Sequence, residues 1–319
     1  MYLVFDIGGT FVKYAIMNSK GKIIEKSKAP TKEMNGESLD DLVISLAGVY
    51  KQFKDSYDIE GIAMSLPGQI DVEKGIVYGG GAIKYVDGAP LGELLSKQCD
   101  DKRVSLENDG KCAALAEIWN GNAKGCKDAC VMVFGTGIGG GIVADGKVLH
   151  GKNLLAGELS YGLDRVSRAD IPDFKPLESI GDVDKSYYEV PYMWSTYNST
   201  RAFCGRVARA KNLPFDSVDG EQIYKWVEDG DELVKEMLED YYFDIAKYCL
   251  TLYVILNPEI ILIGGGICAQ PAFIEGIKRY VDKLKVLSVV YSGLKVDVCM
   301  HKNDSNLLGA LYNYKQLFD

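Results

Sequence analysis

The stretch YLVFDIGGTFVKYAIM, residues 2–17, sets Asp6 near the end of an apolar run and follows it with Gly8, Gly9 and Thr10. Two glycines between strands suffice for a tight turn, and the same turn can present backbone N–H groups to a phosphate. Two further glycine stretches bear on the choice: GTGIGG at 135–140 and the run Gly264, Gly265 and Gly266. GTGIGG matches the dinucleotide fingerprint G-x-G-x-x-G, which requires a helix after the glycines. The GIVADGKVL that continues it alternates and carries a DG turn, so we read a second hairpin whose tip, Gly135, Thr136 and Gly137, binds an anion without a helix. Gly264–Gly266 precede a helix, and a helix N-terminus admits a ligand closely. Three glycine turns at the ends of apolar strands describe a nucleotide cleft lined from two domains.

The elements that position these turns follow from periodicity. Residues 2–7, 11–17 and KIIEKSKAP read as a β-meander. From Glu37 to Phe53 the apolar positions Leu39, Leu42, Val43, Leu46, Val49, Tyr50 and Phe53 recur at spacings of three and four, a helix packing one face on a sheet. GIAMSLPG, a short apolar run, and RVSLEN are read as strands. A helix begins near Asn108 or Asp109 and closes before Gly121. ACVMVFGTGIGGGIVADGKVLHG repeats the opening hairpin pattern in the second half of the chain. A long helix spans Leu233–Leu256 and ends before Pro258, EIILIGGG is a strand followed by a helix, and a last helix covers about 305–317. Strands alternating with helices define an α/β protein.

Composition bounds the function. With 319 residues, 47% of them apolar, the chain is long enough for two domains. A formal charge of −9 and a pI near 5.0 argue against nucleic acid and anionic membrane as partners. Eight cysteines without a C-x-x-C pair and only two histidines, His150 and His301, make a tetrahedral zinc site unexpected. The chain opens on a strand, with no secretory leader and no apolar run of membrane-spanning length, so a reducing cytoplasm with free thiols is the expected setting.

DIGGTFVK, SLPGQID, ENDGKCAALAE, GTGIGGG, AGELSYG, NPEIILIGGG and NLLGALY occur in the order seen in the ROK family of bacterial sugar kinases and sugar-responsive repressors, which the chain resembles from about residue 2 to residue 314. The resemblance implies a two-domain actin-like ATPase (ribonuclease H-like) fold with an inter-domain cleft: an N-terminal α/β domain of residues 1–112 plus the returning 303–319, and a larger C-terminal α/β domain of 113–302. It also implies ATP and Mg²⁺ as cofactors, a small-molecule sugar as substrate, and leaves room for a homodimer. Two features depart from the family. Most members carry a Cys-x-Cys-Gly-x-x-Gly-Cys zinc segment and a His three residues after the Ala-Gly-Glu motif; here that position is Tyr161, and no cysteine lies between Cys130 and Cys204. Both halves of the zinc site are missing together, which implies a zinc-free subgroup. YGGGAIKYVDGAPL departs from the Asn-Leu-x-Trp pattern beside the sugar, and GGAI, ENDGKC and GELSY are similar to the β-glucoside kinases, which phosphorylate β-glucosides at the 6-hydroxyl. Glycine at Gly81, where a bulky residue is usual, would leave room for an aglycone. Zinc-free glucokinases and N-acetylmannosamine kinases are the alternatives.

Carried onto this sequence, the resemblance makes Asp109 the acceptor for the sugar hydroxyl proton. At a helix start the macrodipole should keep it ionised, although by position alone Asn108 or Asp109 serves equally as an N-cap. Asn108 and Glu158 are expected to bind sugar hydroxyls; Tyr161 either donates a hydrogen bond, stacks on the ring or is simply packed; Ser65 and the residues to Asp71 are expected to shape the sugar pocket. Asp6 is expected to position Mg²⁺ through water, with Gly8, Gly9, Thr10 and Lys13 on the phosphate side, Thr136 and Gly137 meeting the phosphates from the other domain, and Gly265 and Gly266 bordering the adenosine. A repressor would need a helix-turn-helix before the first glycine motif, where only five residues precede Asp6. A catalytically dead sensor would be expected to lose Asp109 or the phosphate glycines.

Overall fold

The computed structural model describes residues 1–36, 38–79, 83–173 and 192–319. The first half contains β1 (Tyr2–Ile7), β2 (Phe11–Met17), β3 (Ile23–Pro30), α1 (Thr31–Asn35), α2 (Leu39–Phe53), β4 (Gly61–Leu66), β5 (Gln69–Asp71), β6 (Ile76–Tyr78), α3 (Leu91–Gln98), β7 (Arg103–Asn108) and α4 (Asp109–Asn120). The second contains β8 (Ala129–Phe134), β9 (Ile138–Ala144), β10 (Lys147–Val148), α5 (Trp194–Asn198), α6 (Thr200–Ala210), α7 (Gly220–Glu228), α8 (Glu232–Leu256), β11 (Ile260–Gly264), α9 (Pro271–Lys285), β12 (Val296–Val298) and α10 (Ser305–Phe318). The expected elements are present. The helix expected from Glu37 begins two residues later because Ser38 is its N-cap, its hydroxyl accepting from the Asp41 N–H. α8 ends where Asn257 adopts a left-handed conformation ahead of Pro258.

Two five-stranded sheets share one plan. The first has the order β3-β2-β1-β4-β7 and the second β10-β9-β8-β11-β12. In each, a meander of antiparallel strands is extended by two parallel ones delivered after helices. The repeated hairpin pattern read from the sequence is therefore a repeated sheet. Strand alternation divides the side chains of the first sheet: Leu3, Phe5, Ile62, Met64 and Leu106 pack under α2 and α3, whereas Val4 and Ala63 face α4 and α10. On the second sheet Phe134, Ile261 and Ile263 pack against α6, α8 and α9, and Val131 and Leu262 face α4.

α4 therefore lies between the sheets, and nine of its residues, Gly110 through Ile118, are buried, which is why it lacks a polar face. Its neighbours approach it backbone to backbone. A Cβ on Gly110 would lie 2.6 Å from Gly140 N on β9, and one on Gly309 of α10 would lie 1.8 Å from Cys112 O. The glycines of GTGIGGG thus have a packing task besides forming a turn.

Gly309→Ala should lower unfolding stability by about 1–3 kcal/mol or more, the cost of overpacking. Gly48→Ala on α2, where a Cβ meets nothing within 4 Å, should leave stability unchanged or raise it by about 0.5–1 kcal/mol. Urea denaturation of both variants checks the pair; equal midpoints would remove the close crossing of α10 and α4.

Candidate active site

β7 delivers Asn108 and Asp109 to the gap between the sheets. Asn108 is the N-cap of α4: its Oδ1 accepts the Lys111 N–H at 3.1 Å, and its Nδ2 donates to Gly68 O at 3.0 Å. The capping reading and the ligand reading are compatible, because one amide hydrogen and one oxygen lone pair are left over. Asp109 Oδ1 accepts the Gly110 N–H at 2.8 Å. Both residues line a cavity of about 400 Å³ together with Pro67–Gln69, Gly135–Gly139, Glu158, Tyr161 and Asn306. That volume suits a small polar ligand.

Burial, more than the helix dipole, sets the charge of Asp109. Loss of solvent pushes its carboxyl up to about 6, with Glu158 and Asp6 adding to the rise and the Gly110 N–H and Lys111 opposing it. That value lies below neutrality but makes Asp109 a stronger base than a surface aspartate. Glu158 is also raised by burial, against the Lys111 ammonium at 3.2 Å, while Glu107 adds to the rise. Glu107, fully buried, accepts the Asn108 N–H at 2.8 Å through Oε1 and meets His150 Nε2 at 2.8 Å through Oε2.

Asp6 stands behind this cavity. Its Oδ1 accepts from Ser65 Oγ at 3.3 Å and Asn306 Nδ2 at 3.0 Å, and its Oδ2 pairs with Lys13 Nζ at 3.0 Å. Ser65 was expected to shape the sugar pocket; instead it lies opposite Asp6 in the β1–β4 register, is fully buried, and orients that carboxylate, leaving the lining to Pro67, Gly68 and Gln69. One carboxylate with its oxygens already bonded fits Mg²⁺ held through water and phosphates better than by direct ligation. Among the described residues no group of three or more His, Cys, Asp or Glu side chains could hold a metal ion.

A second cavity of about 510 Å³ shares Gly135 and Thr136 with the first and continues along Thr200, Arg201, Phe215, Val218, Gly266 and Ile267. Of the third glycine run, Gly266 lines it. Gly265, at φ +105°, is required because a Cβ would lie 2.0 Å from Phe134 O, and a Cβ on Gly264 would meet Cys299 Sγ at 3.0 Å. The first hairpin is not brought in: Gly8, Gly9, Thr10 and Lys13 are absent from the lining of both cavities. The Gly8 N–H instead closes the turn on Phe11 O at 3.0 Å. Gly81 lies outside the described residues.

The ROK family model matches residues 2–316. The chain belongs to the ROK family. It is 30% identical to the beta-glucoside kinase of Klebsiella pneumoniae over 98% of this chain and 96% of that one. It is 29% identical to the beta-glucoside kinase of Listeria monocytogenes over the same shares. A ROK family protein from Streptococcus pneumoniae, solved in complex with sucrose, superposes with a TM-score of 0.81 at 30% identity, covering 99% of this chain and 98% of that one. The twin sheets are thus those of the actin-like ATPase fold expected from the sequence.

Lys111, Glu107, His150 and Asn306 were missed as members of this ROK site. Lys111 and Glu107 carried a signal: a charge in the alanine-rich start of α4, and another in the apolar strand before it, are costly unless paired. Asn306 opens the NLLGALY motif, which marked the segment but not its role, and His150 carried no signal, being brought in by a distant element.

Asp109→Asn retains an acceptor for the Gly110 N–H and removes the desolvated charge. A carboxyl whose folded-state pKa is raised stabilises the fold fully below its unfolded value and loses that contribution as pH rises through about 6. The variant should match wild type near about pH 4 and exceed it by up to about 3 kcal/mol above about pH 7. Denaturant titrations at the two pH values check this; a variant less stable at the higher pH would contradict it.

Proposed function

We propose that this ATP-dependent carbohydrate kinase transfers the γ-phosphoryl group of ATP to the 6-hydroxyl of a hexose or β-glucoside, and that it accepts a β-glucoside at least as well as free glucose. The observation that carries the reading is Asp109, its carboxyl pushed up to about 6, lining the first of two cavities that share Gly135 and Thr136. The first offers Asn108, Asp109 and Glu158 to sugar hydroxyls, and the second offers Phe215, Val218, Gly266 and Ile267 to an adenine ring with Asp219 and Glu221 beside them for its ribose.

In this reading Asn108 and Glu158 hold the ring hydroxyls, and Asp109 accepts the proton of the attacking hydroxyl as its oxygen bonds to the γ-phosphorus and ADP departs. Thr136 and Gly137 meet the phosphates from the β8–β9 hairpin. Mg²⁺, when bound, would neutralise phosphate charge. Asp6 would hold its waters, oriented by Ser65 and Asn306. Gly8, Gly9, Thr10 and Lys13 would reach the phosphates when residues 1–112 with 303–319 close against 113–302 and exclude water. The β-glucoside preference rests on the likeness to the beta-glucoside kinases and on Tyr161, which lines the first cavity and stands where the family pattern given above has a histidine. A phenol in place of that imidazole also removes a zinc ligand, and the proposal is of a zinc-free enzyme working in the cytoplasm.

Asp109→Asn should keep sugar binding and lose about 10²- to 10⁴-fold in kcat. Wild-type kcat/KM should fall on the acid side with an apparent pKa of about 6. Near wild-type turnover in the variant would remove Asp109 from the role. A coupled ADP-release assay comparing glucose, cellobiose, phenyl β-glucoside, N-acetylglucosamine and N-acetylmannosamine by kcat/KM tests the substrate. A preference of about tenfold for a 2-acetamido sugar would overturn the β-glucoside reading. Metal analysis of purified protein should find zinc far below stoichiometric, and about one tightly bound zinc per chain would refute the zinc-free assignment.

A further inference from the structure

Lys111 is a buried charge with a specific address. Its side chain is 1% exposed and its ammonium lies 3.2 Å from Glu158 Oε1. Its backbone N–H fixes Asn108 Oδ1, which turns Nδ2 toward Gly68 O. Lys111 itself does not line the first cavity, whereas Asn108 and Glu158, to which it is hydrogen-bonded, both do. The ion pair is sealed on the lysine side and open to the cavity on the glutamate side, where the side chain keeps 22% exposure.

Stability alone is a weak reason for such a pair, because a buried ion pair often does no better than apolar side chains of the same volume. The charges around Glu158 suggest another reason. Asp109 on α4 and Glu107 at the end of β7 both repel its negative charge, and His150 is engaged with Glu107. Lys111 is the cation bonded to it among the described residues. Without that cation the carboxyl would protonate or turn away, and an acceptor-only group facing the cavity would be lost.

We propose that Lys111 is a positioning residue for substrate: it holds Glu158 as an acceptor aimed into the cavity, so that the pair and not Glu158 alone sets affinity for sugar hydroxyls. The inference rests on the sugar-site reading above and deepens it.

The test uses the full chain with Lys111→Met, Glu158→Gln and the double variant, measuring KM for the preferred sugar and for ATP from about pH 6 to about pH 9. Glu158→Gln should raise the sugar KM by about tenfold or more. Lys111→Met should do the same with the ATP KM within about twofold, and its defect should shrink as pH rises and Glu158 regains its charge. The double variant should match Glu158→Gln within about twofold, because two members of one unit are not additive. An unchanged sugar KM in Lys111→Met, a defect equal at all pH values, or a double variant worse than Glu158→Gln by about tenfold would each overturn the proposal. If Lys111→Met does not fold, the double variant decides, since it leaves no orphan charge. Glu158→Gln with a normal sugar KM would instead overturn the sugar-site reading, and this inference with it.

Discussion

The site depends on the closeness with which α4 is held. Its first turn touches the backbone of β9 at Gly110 and Gly140, its middle touches α10 at Cys112 and Gly309, and no side chain stands between. A Cβ at Gly110 or Gly309 would lie under 3.0 Å from backbone atoms that cannot turn aside, so an element would have to shift, and packed interiors transmit such displacements. Because α4 starts directly from β7 of the first sheet and packs on β9 of the second, its N-terminus brings residues of both sheets together. Asn108 and Asp109 are fixed there as a consequence. The far end is fixed by a buried carboxylate: Glu117 accepts the N–H groups of Asn122, Met300 and His301, tying α4 to the segment that leads from β12 into α10.

Gathering carboxylates at this junction has an electrostatic cost that the fold distributes unevenly. Asp6 and Glu158 are each given a lysine, Glu107 a histidine and a backbone N–H, and Asp109 a backbone N–H alone. Burial raises both Asp109 and Glu158, but Glu158 keeps an opposing lysine, and Asp109 is pushed up to about 6, close to the value at which a general base remains ionised at neutral pH yet binds a proton appreciably. In the proposed reaction this unequal provision of partners would set the base apart from the other three carboxylates.

The β8–β9 hairpin joins the two cavities for a related reason. Its tip, Gly135 to Gly137, is short of side chains, so the Ser160 hydroxyl can take the Ile138 N–H at 3.0 Å and return a hydrogen bond to Ile138 O at 3.0 Å, locking the hairpin to the loop that carries Glu158. The same glycines leave Thr136 facing both cavities. One hairpin thus forms the wall common to both cavities.

Much of this was legible in the sequence because it is local. Strand and helix periods, the N-cap before Asp109, and the glycine turns are set by neighbouring residues, and the repeated hairpin pattern exposed the duplicated sheet; the ordered motifs then identified the ROK fold and the pair Asn108 and Asp109. What tertiary structure decided is which side chains face one another across the chain. Ser65 became a partner of Asp6 because parallel pairing of β1 and β4 placed them in register, 59 residues apart. Asn306 joined Asp6 across 300 residues and Lys111 joined Glu158 across 47. The charge of Asp109 was likewise beyond local reading: a helix start argues for a lowered carboxyl, and only burial between two sheets, a property of the assembled core, reverses the direction.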